Sequence, residues 1–254
     1  VALRWMGHLP SDEITSMLQV SQAEDFAGFR DALDGFHVPG QNMVFADTAG
    51  HIGQVMAVRL PARPTTPPPD LIQKPGAQYS WDNLVSAAGL PFAFDPPAGY
   101  VASANNKPAD APVAVGWHFS NDDRISRLRD LLSGPDKVTI EDLQRLQQDV
   151  YMPSAVALRD LLLGQLDRAG VPLSAGQATL VETLRDWDGH YDAKSLGALA
   201  FELTMFAFSQ TFWSEEERAL MGVGGRFDEQ LASAIATADP ARVAAILRPA
   251  LDAA

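Results

Sequence analysis

The sequence holds no cysteine in its 254 residues. That excludes disulfides, thiolate nucleophiles and zinc–thiolate sites. It is also short of positive charge: 19 Lys and Arg stand against 32 Asp and Glu, a formal net charge of −13. Binding nucleic acid needs a basic surface to displace counterions, and an anionic membrane surface attracts the same sign. Neither nucleic acid nor membrane is therefore an expected partner. No apolar run reaches the roughly 18 residues that read as a membrane span. Val1 to Pro10 has no charged segment followed by an apolar run, so no secretory signal is read there. The chain begins at Val1 rather than Met, which reads as a processed or excised product.

What is present is an ordinary supply of core residues. Hydrophobic residues make up 46% and charged residues 20%, which argues against a disordered chain. The length suits one large domain or two small ones, and composition changes near residue 117. Before that point the chain is rich in Pro and Gly. Ser11-Asp12-Glu13 reads as the cap of a helix to Gln19, and Ser21 with Glu24 has capping-box form for a helix to Leu33. Phe26, Phe29 and Leu33 share a face of the second. Two β-prone runs, 41–47 and 52–58, flank a turn containing Gly50, the signal of a hairpin. Pro61 and Pro64 are expected to end the second strand. Residues 64 to 117, with Pro67-Pro68-Pro69 and Pro96-Pro97, read as a long irregular segment wrapping a surface.

From Asn121 onward helical periodicity dominates. Ile125, Leu128 and Leu132 line one expected helix. Thr139 with Asp142 starts another, with Leu143, Leu146 and Val150 expected inward, and Pro153 suits the first turn of a third, lined by Leu158, Leu162 and Leu166. Further helices are expected over 177–187, 195–212, 227–237 and 240–251. The residues therefore predict an α+β chain divided into 1–117 and 118–254, the latter mainly helical.

General catalytic motifs are lacking. His8, His37, His51, His118 and His190 show no metal-ligand spacing, and no HExxH, GxSxG or P-loop pattern occurs. Gly222-Val223-Gly224-Gly225 follows no strand and reads as a loop. Asp186 and Asp188 flank Trp187 and read as a solvated helix end, with Trp187 in the core.

Seven short stretches in order carry more. Leu3-Arg4-Trp5-Met6-Gly7-His8 is similar to "LRWTGH" of penicillin acylase β-chains. Residues 41–53, from Gln41-Asn42 to Ile52-Gly53, resemble "QNxxYADxxGNIGY", and Pro61-Ala62-Arg63 resembles "P-x-R". Gly99 to Asn106 resembles "GyixsANN", Arg124-Ile125 with Leu131-Leu132 resembles "RIxxLL", Leu146-Gln147-Gln148-Asp149 resembles "lQxD", and Leu184 to Gly189 resembles "LxxWDG". The resemblance runs over positions 3 to 189; the last 60 or so residues share only helical character.

The chain thus resembles the central part of the β-subunit of the penicillin acylase family of N-terminal-nucleophile (Ntn) hydrolases. The resemblance implies that residues 1–117 form part of an αββα Ntn core and 118–254 a helical domain. In such enzymes a Ser or similar residue at the β-chain start attacks with its own α-amine as base, and preorganised donors stabilise the oxyanion. Asn42 matches the family's oxyanion-hole asparagine; read without the motif, it caps the start of a strand. Arg63 matches an arginine near the nucleophile's amine, where its charge would keep that amine neutral; the alternative is a surface arginine, and Arg59 is a weaker competitor. Asp47, Asn105 and Asn106 match positions that fix turns. Met43 and Phe45 are pocket or core side chains.

Val1 offers no nucleophilic atom, and the resemblance places the nucleophile and the second donor upstream of it. The expectation is an N-acyl amide hydrolase whose excised chain is inactive. No cofactor is expected; the family's structural calcium takes its ligands mainly outside this stretch, so no metal is assigned. The implied partners are an N-acyl amide substrate and the remainder of the precursor, the α-subunit and the rest of the β-subunit. Location is expected to be periplasmic or secreted. An excised hairpin would leave unpaired edges and an uncovered face, so either the helical part is the better ordered portion or the fragment self-associates. The alternative reading is a helical interaction or binding module of a family member that has lost catalysis.

Overall fold

In a computed structural model, the structure describes residues 3–66, 81–108, 111–117, 119, 121–134, 137–221 and 227–254. The chain forms two compact units, Val1–Phe119 and Ser120–Ala254.

The first unit opens with helices α1 (Glu13–Val20) and α2 (Phe26–Leu33). The Asp12 side chain accepts from the N–H of Thr15 to start α1, and Asp25 accepts from that of Gly28 to start α2. The expected Ser21–Glu24 capping box is not used. Ser21 follows α1 directly and serves as its C-cap, its hydroxyl donating to the Leu18 carbonyl.

Strands β1 (Gln41–Ala46) and β2 (Ile52–Ala57) pair antiparallel, Gln41 opposite Ala57 and Ala46 opposite Ile52. Their turn closes as expected. The Asp47 carboxylate accepts from the His51 N–H at 2.9 Å, and Gly50 takes φ 95°, a region costly for a residue with a Cβ. Side chains alternate across the sheet. Val55 and Ala57, fully buried, join Phe26, Phe29 and Leu33 of α2, and Met43 and Phe45 pack on the same cluster. Gly53 lets Phe26 lie against β2, because a Cβ there would overlap the ring.

The segment expected to be irregular contributes structure. β3 (Leu60–Pro61) pairs with β4 (Leu84–Val85), so Pro61 lies within a strand rather than beyond one. β5 (Phe92–Phe94) pairs antiparallel with β2, giving the sheet order β1-β2-β5. Three residues are too few for periodicity to register, and β5 forms because β2 offers a free edge. Pro67-Pro68-Pro69 lies outside the described residues.

The second unit is helical: α3 (Asp123–Leu132), α4 (Ile140–Gln147), α5 (Pro153–Ala169), α6 (Ala175–Asp186), α7 (Leu196–Phe212), α8 (Glu215–Met221), α9 (Phe227–Thr237) and α10 (Pro240–Ala253). Sequence-legible caps start most of them. Thr139 and Ser174 form capping boxes with Asp142 and Gln177, and Asp239 accepts from Ala241. Ser214 and Glu217 form a further reciprocal pair at α8, a helix the sequence reading did not include. Leu158, Leu162 and Leu166 of α5 meet Phe208 of α7 and Val243 and Leu247 of α10 in one continuous core. Trp187 is buried there, its indole N–H donating to the His190 carbonyl. The expected inward face of α4 is not buried: Leu143 and Val150 are exposed and Leu146 is half-buried, because α4 is short and buries no residue. Gly222 to Gly225 and His118 lie outside the described residues. Among the described residues no helix is long and apolar enough to cross a membrane, and no cluster of His, Asp and Glu could hold a metal ion.

Candidate functional site

Alternation places Met43 and Phe45 against α2 and sends Asn42 and Val44 to the opposite face of β1. That face is open, with Val44 65% exposed. The register sets Met56 opposite Asn42, with Gln54 diagonal to it, and β5 sets Ala93 opposite Gln54. A cleft of about 200 Å³ lies over this patch. Its walls come from β1, β2 and β5 on one side and from Ala102, Ser103, Asn106 and Pro108 on the other.

Asn42 is hydrogen-bonded at both ends of its amide. Its Nδ2 donates to Ser103 Oγ at 2.8 Å, and its Oδ1 accepts from Gln54 Nε2 at 3.2 Å. Among the described residues the second Nδ2 hydrogen has no partner. The Ser103 segment is itself held by a turn: Asn105 takes φ 60°, and Asn106 Oδ1 accepts from the Ala104 N–H at 3.1 Å. Asn106 thus fixes the turn through side-chain-to-backbone bonds, as expected of it.

None of the described residues lining the cleft is ionisable. It can offer fixed dipoles to a developing charge but cannot exchange a proton at neutral pH. A nucleophile and its base must come from groups other than these.

Arg63 does not line the cleft. It follows β3, its carbonyl accepts from the Ala114 N–H at 3.2 Å, and its guanidinium sits 5.5 Å from the centre of the Trp117 ring. Burial pulls its pKa below the ordinary value, yet an arginine stays charged. Arg59 is anchored by its N–H to the His37 carbonyl. The structure thus brings Asn42 together with Gln54 and Ser103 and sets Arg63 at a separate position. Gln54 and Ser103 were not singled out from the sequence. The signal that could have found Gln54 is the hairpin itself, since a turn centred on Thr48–Gly50 fixes the register and puts residue 54 diagonal to residue 42.

Ion pairs among the described residues are formed by side chains that do not line the cleft. His51 Nδ1 meets Asp95 Oδ2 at 2.7 Å beyond the hairpin turn, with both side chains about half exposed. In the helical unit Arg127 holds Asp149 through two bonds, of 2.9 and 2.7 Å.

Comparison with known proteins agrees with the motif order. The penicillin amidase profile matches residues 1–254. The chain is 28% identical to the penicillin acylase 2 proenzyme of a Pseudomonas species, over 70% of this chain and 23% of that protein. It is 29% identical to the penicillin G acylase of Escherichia coli, over 58% of this chain and 18% of the other, and 27% identical to the acyl-homoserine lactone acylase QuiP of Pseudomonas syringae pv. syringae, over 69% and 22%. It therefore spans less than a quarter of the length of these relatives. Its fold is similar to that of the thermostable penicillin G acylase of Alcaligenes faecalis, with a TM-score of 0.66, 20% identity, and coverage of 94% of this chain and 50% of that one. On the match across its whole length, the chain belongs to the penicillin amidase family.

Proposed function

We propose that the protein carrying this chain hydrolyses an N-acyl amide through a covalent acyl-enzyme, with Asn42 as the side-chain donor to the oxyanion. The observation that carries this reading is the Asn42 amide itself. It is neutral, directional, exposed on the open face of β1 and held at both ends, in a chain that belongs to the penicillin amidase family. A hydroxyl nucleophile attacks the scissile carbonyl and passes its proton to its own α-amine. The carbonyl oxygen takes the negative charge, and an N–H donor already in place stabilises it without reorganisation. Collapse expels the amine, which leaves with that proton, and water then releases the acid. Asn42 cannot itself titrate, so its contribution does not vary with pH.

Arg63 is assigned a second, electrostatic role: a fixed positive charge near the α-amine favours the neutral form that a base requires. Residues 1–117 serve as part of the Ntn core, and 118–254 as a helical domain. The working partners are the N-acyl amide and the remainder of the same precursor, and the location is periplasmic or secreted. Relatives named for penicillin and for acyl-homoserine lactones support the acylase class without choosing between them.

The test is incubation of the complete mature protein with chromogenic acyl-anilides of several acyl lengths, with mass spectrometry of the trapped protein. Turnover with an acyl adduct is expected. A second reading rests on a different observation: Leu196, Leu199, Leu203 and Phe206 form an exposed stripe along α7, as an interaction module of a non-catalytic member would carry. Neither turnover nor adduct on any substrate favours that reading.

A further inference from the structure

We infer that Gln54 and Ser103 are positioning residues for the Asn42 amide, Gln54 setting its direction and Ser103 holding its other end in place; the inference rests on the oxyanion role proposed for Asn42. The two ends of an asparagine amide have nearly the same shape and opposite polarity. Turned one way, Asn42 offers N–H to a developing negative charge; turned the other, it offers a lone pair and repels it. This chain places a hydrogen-bonding side chain at each end of that amide.

The bonds run in one direction. Gln54 Nε2 donates to Asn42 Oδ1, and Asn42 Nδ2 donates to Ser103 Oγ. The acceptor atom of Asn42 is thereby met by Gln54, and one of its N–H groups is directed onto Ser103. The serine hydroxyl can donate or accept, so it follows the amide rather than choosing its direction. Gln54 is the partner whose chemistry can be made one-directional by substitution.

Both holders stand on anchored backbone. Gln54 lies in β2, the central strand, with Val44 opposite on one side and Ala93 on the other. Ser103 precedes the turn that Asn106 closes onto the Ala104 N–H. Among the described residues that line the cleft none is ionisable, so none of them orients the amide by charge.

The experiment measures kcat and KM for acyl-anilide hydrolysis by the complete mature protein. The variants are Asn42→Ala, Gln54→Glu, Ser103→Ala and Ser103→Thr, with Gln54→Glu also made in the Asn42→Ala background. A carboxylate at 54 can only accept, so it draws the Asn42 N–H groups toward itself. The expected result is a fall in kcat of about 10- to 100-fold for Gln54→Glu, with KM little changed, since one oxyanion donor is worth roughly 10²–10³. Gln54→Glu should cost nothing further once Asn42 is alanine, because it acts through Asn42. Ser103→Thr should keep the activity that Ser103→Ala loses. Wild-type kcat in Gln54→Glu beside a large loss in Asn42→Ala overturns the positioning role and leaves the Asn42 reading standing. An equal loss in both backgrounds also overturns it, and full activity in Asn42→Ala overturns both. If Gln54→Glu does not fold, the Ser103 pair decides alone: equal activity in Ser103→Ala and Ser103→Thr contradicts the inference.

Discussion

The unit spanning Val1–Phe119 and the unit spanning Ser120–Ala254 solve the burial problem differently. The first packs α2 on one face of a three-stranded sheet and α1 on α2, while the other face carries Asn42, Val44 and Gln54 and the cleft. The second surrounds a continuous core in which Phe208, Leu231, Ile235 and Val243 are fully buried. Long helices with legible caps can close a core locally. A sheet with one face covered remains a platform, and here the platform carries the polar cleft. The larger buried core and the polar cleft thus belong to different units of one chain.

The largest expected effect breaks the core of the helical unit. Phe208→Ala should cost about 3–5 kcal/mol by denaturant unfolding, because the ring stacks on Phe212 and no solvent reaches it. Leu33→Ala, the matching change in the sheet unit, should fall toward the lower end of the roughly 2–5 kcal/mol seen for buried leucines, since an open layer can relax into the space. A larger loss for Leu33→Ala than for Phe208→Ala would invert the comparison. Amide exchange sharpens the same point: α5, α7 and α10 should exchange more slowly than β1, which is an edge strand.

A smaller effect comes from the Arg127–Asp149 pair, which ties α3 to the segment after α4. Asp149→Asn should destabilise by roughly 1.5–3 kcal/mol, as expected for hydrogen bonds to a charged group that is largely shielded. The Arg127 bond, partly opposed by burial, holds the Asp149 carboxyl below its ordinary value. Its stabilisation is full above about pH 4 and lost as pH falls through the depressed folded value. Equal acid sensitivity of the wild type and Asp149→Asn contradicts this.

The smallest effect is at the hairpin. The Asp95 bond raises the His51 pKa, while the Ile52 N–H and then His51 hold Asp95 below its usual range. The His51 contribution is full below about pH 6.5 and lost as pH rises through its raised folded value. That of Asp95 is full above about pH 4 and lost as pH falls. Asp95 takes φ 44°, which asparagine also tolerates, so Asp95→Asn should return the His51 titration, followed by NMR, toward the ordinary imidazole value. An unchanged titration contradicts the pairing.

Legibility followed the range of the interaction. Helices whose caps and stripes are local, such as those beginning at Pro153, Ser174-Ala175 and Asp239-Pro240, fall within a few residues of where the sequence places them. The Ser214–Glu217 box at α8 is equally local and was readable. β5 was not, because three residues between Pro91 and Asp95 carry no periodicity and gain their state from the edge of β2. At the cleft, Asn42 stood out through its motif. Ser103 is 61 positions away, and only the fold brings it to the amide.

The central claim is that the Asn42 amide stabilises the oxyanion. Its most direct test is kcat for acyl-anilide hydrolysis by the complete mature protein, wild type against Asn42→Ala, with folding verified by circular dichroism. The account predicts a fall of about 10²–10³; an unchanged kcat would contradict it and leave Asn42 a residue that only begins a strand.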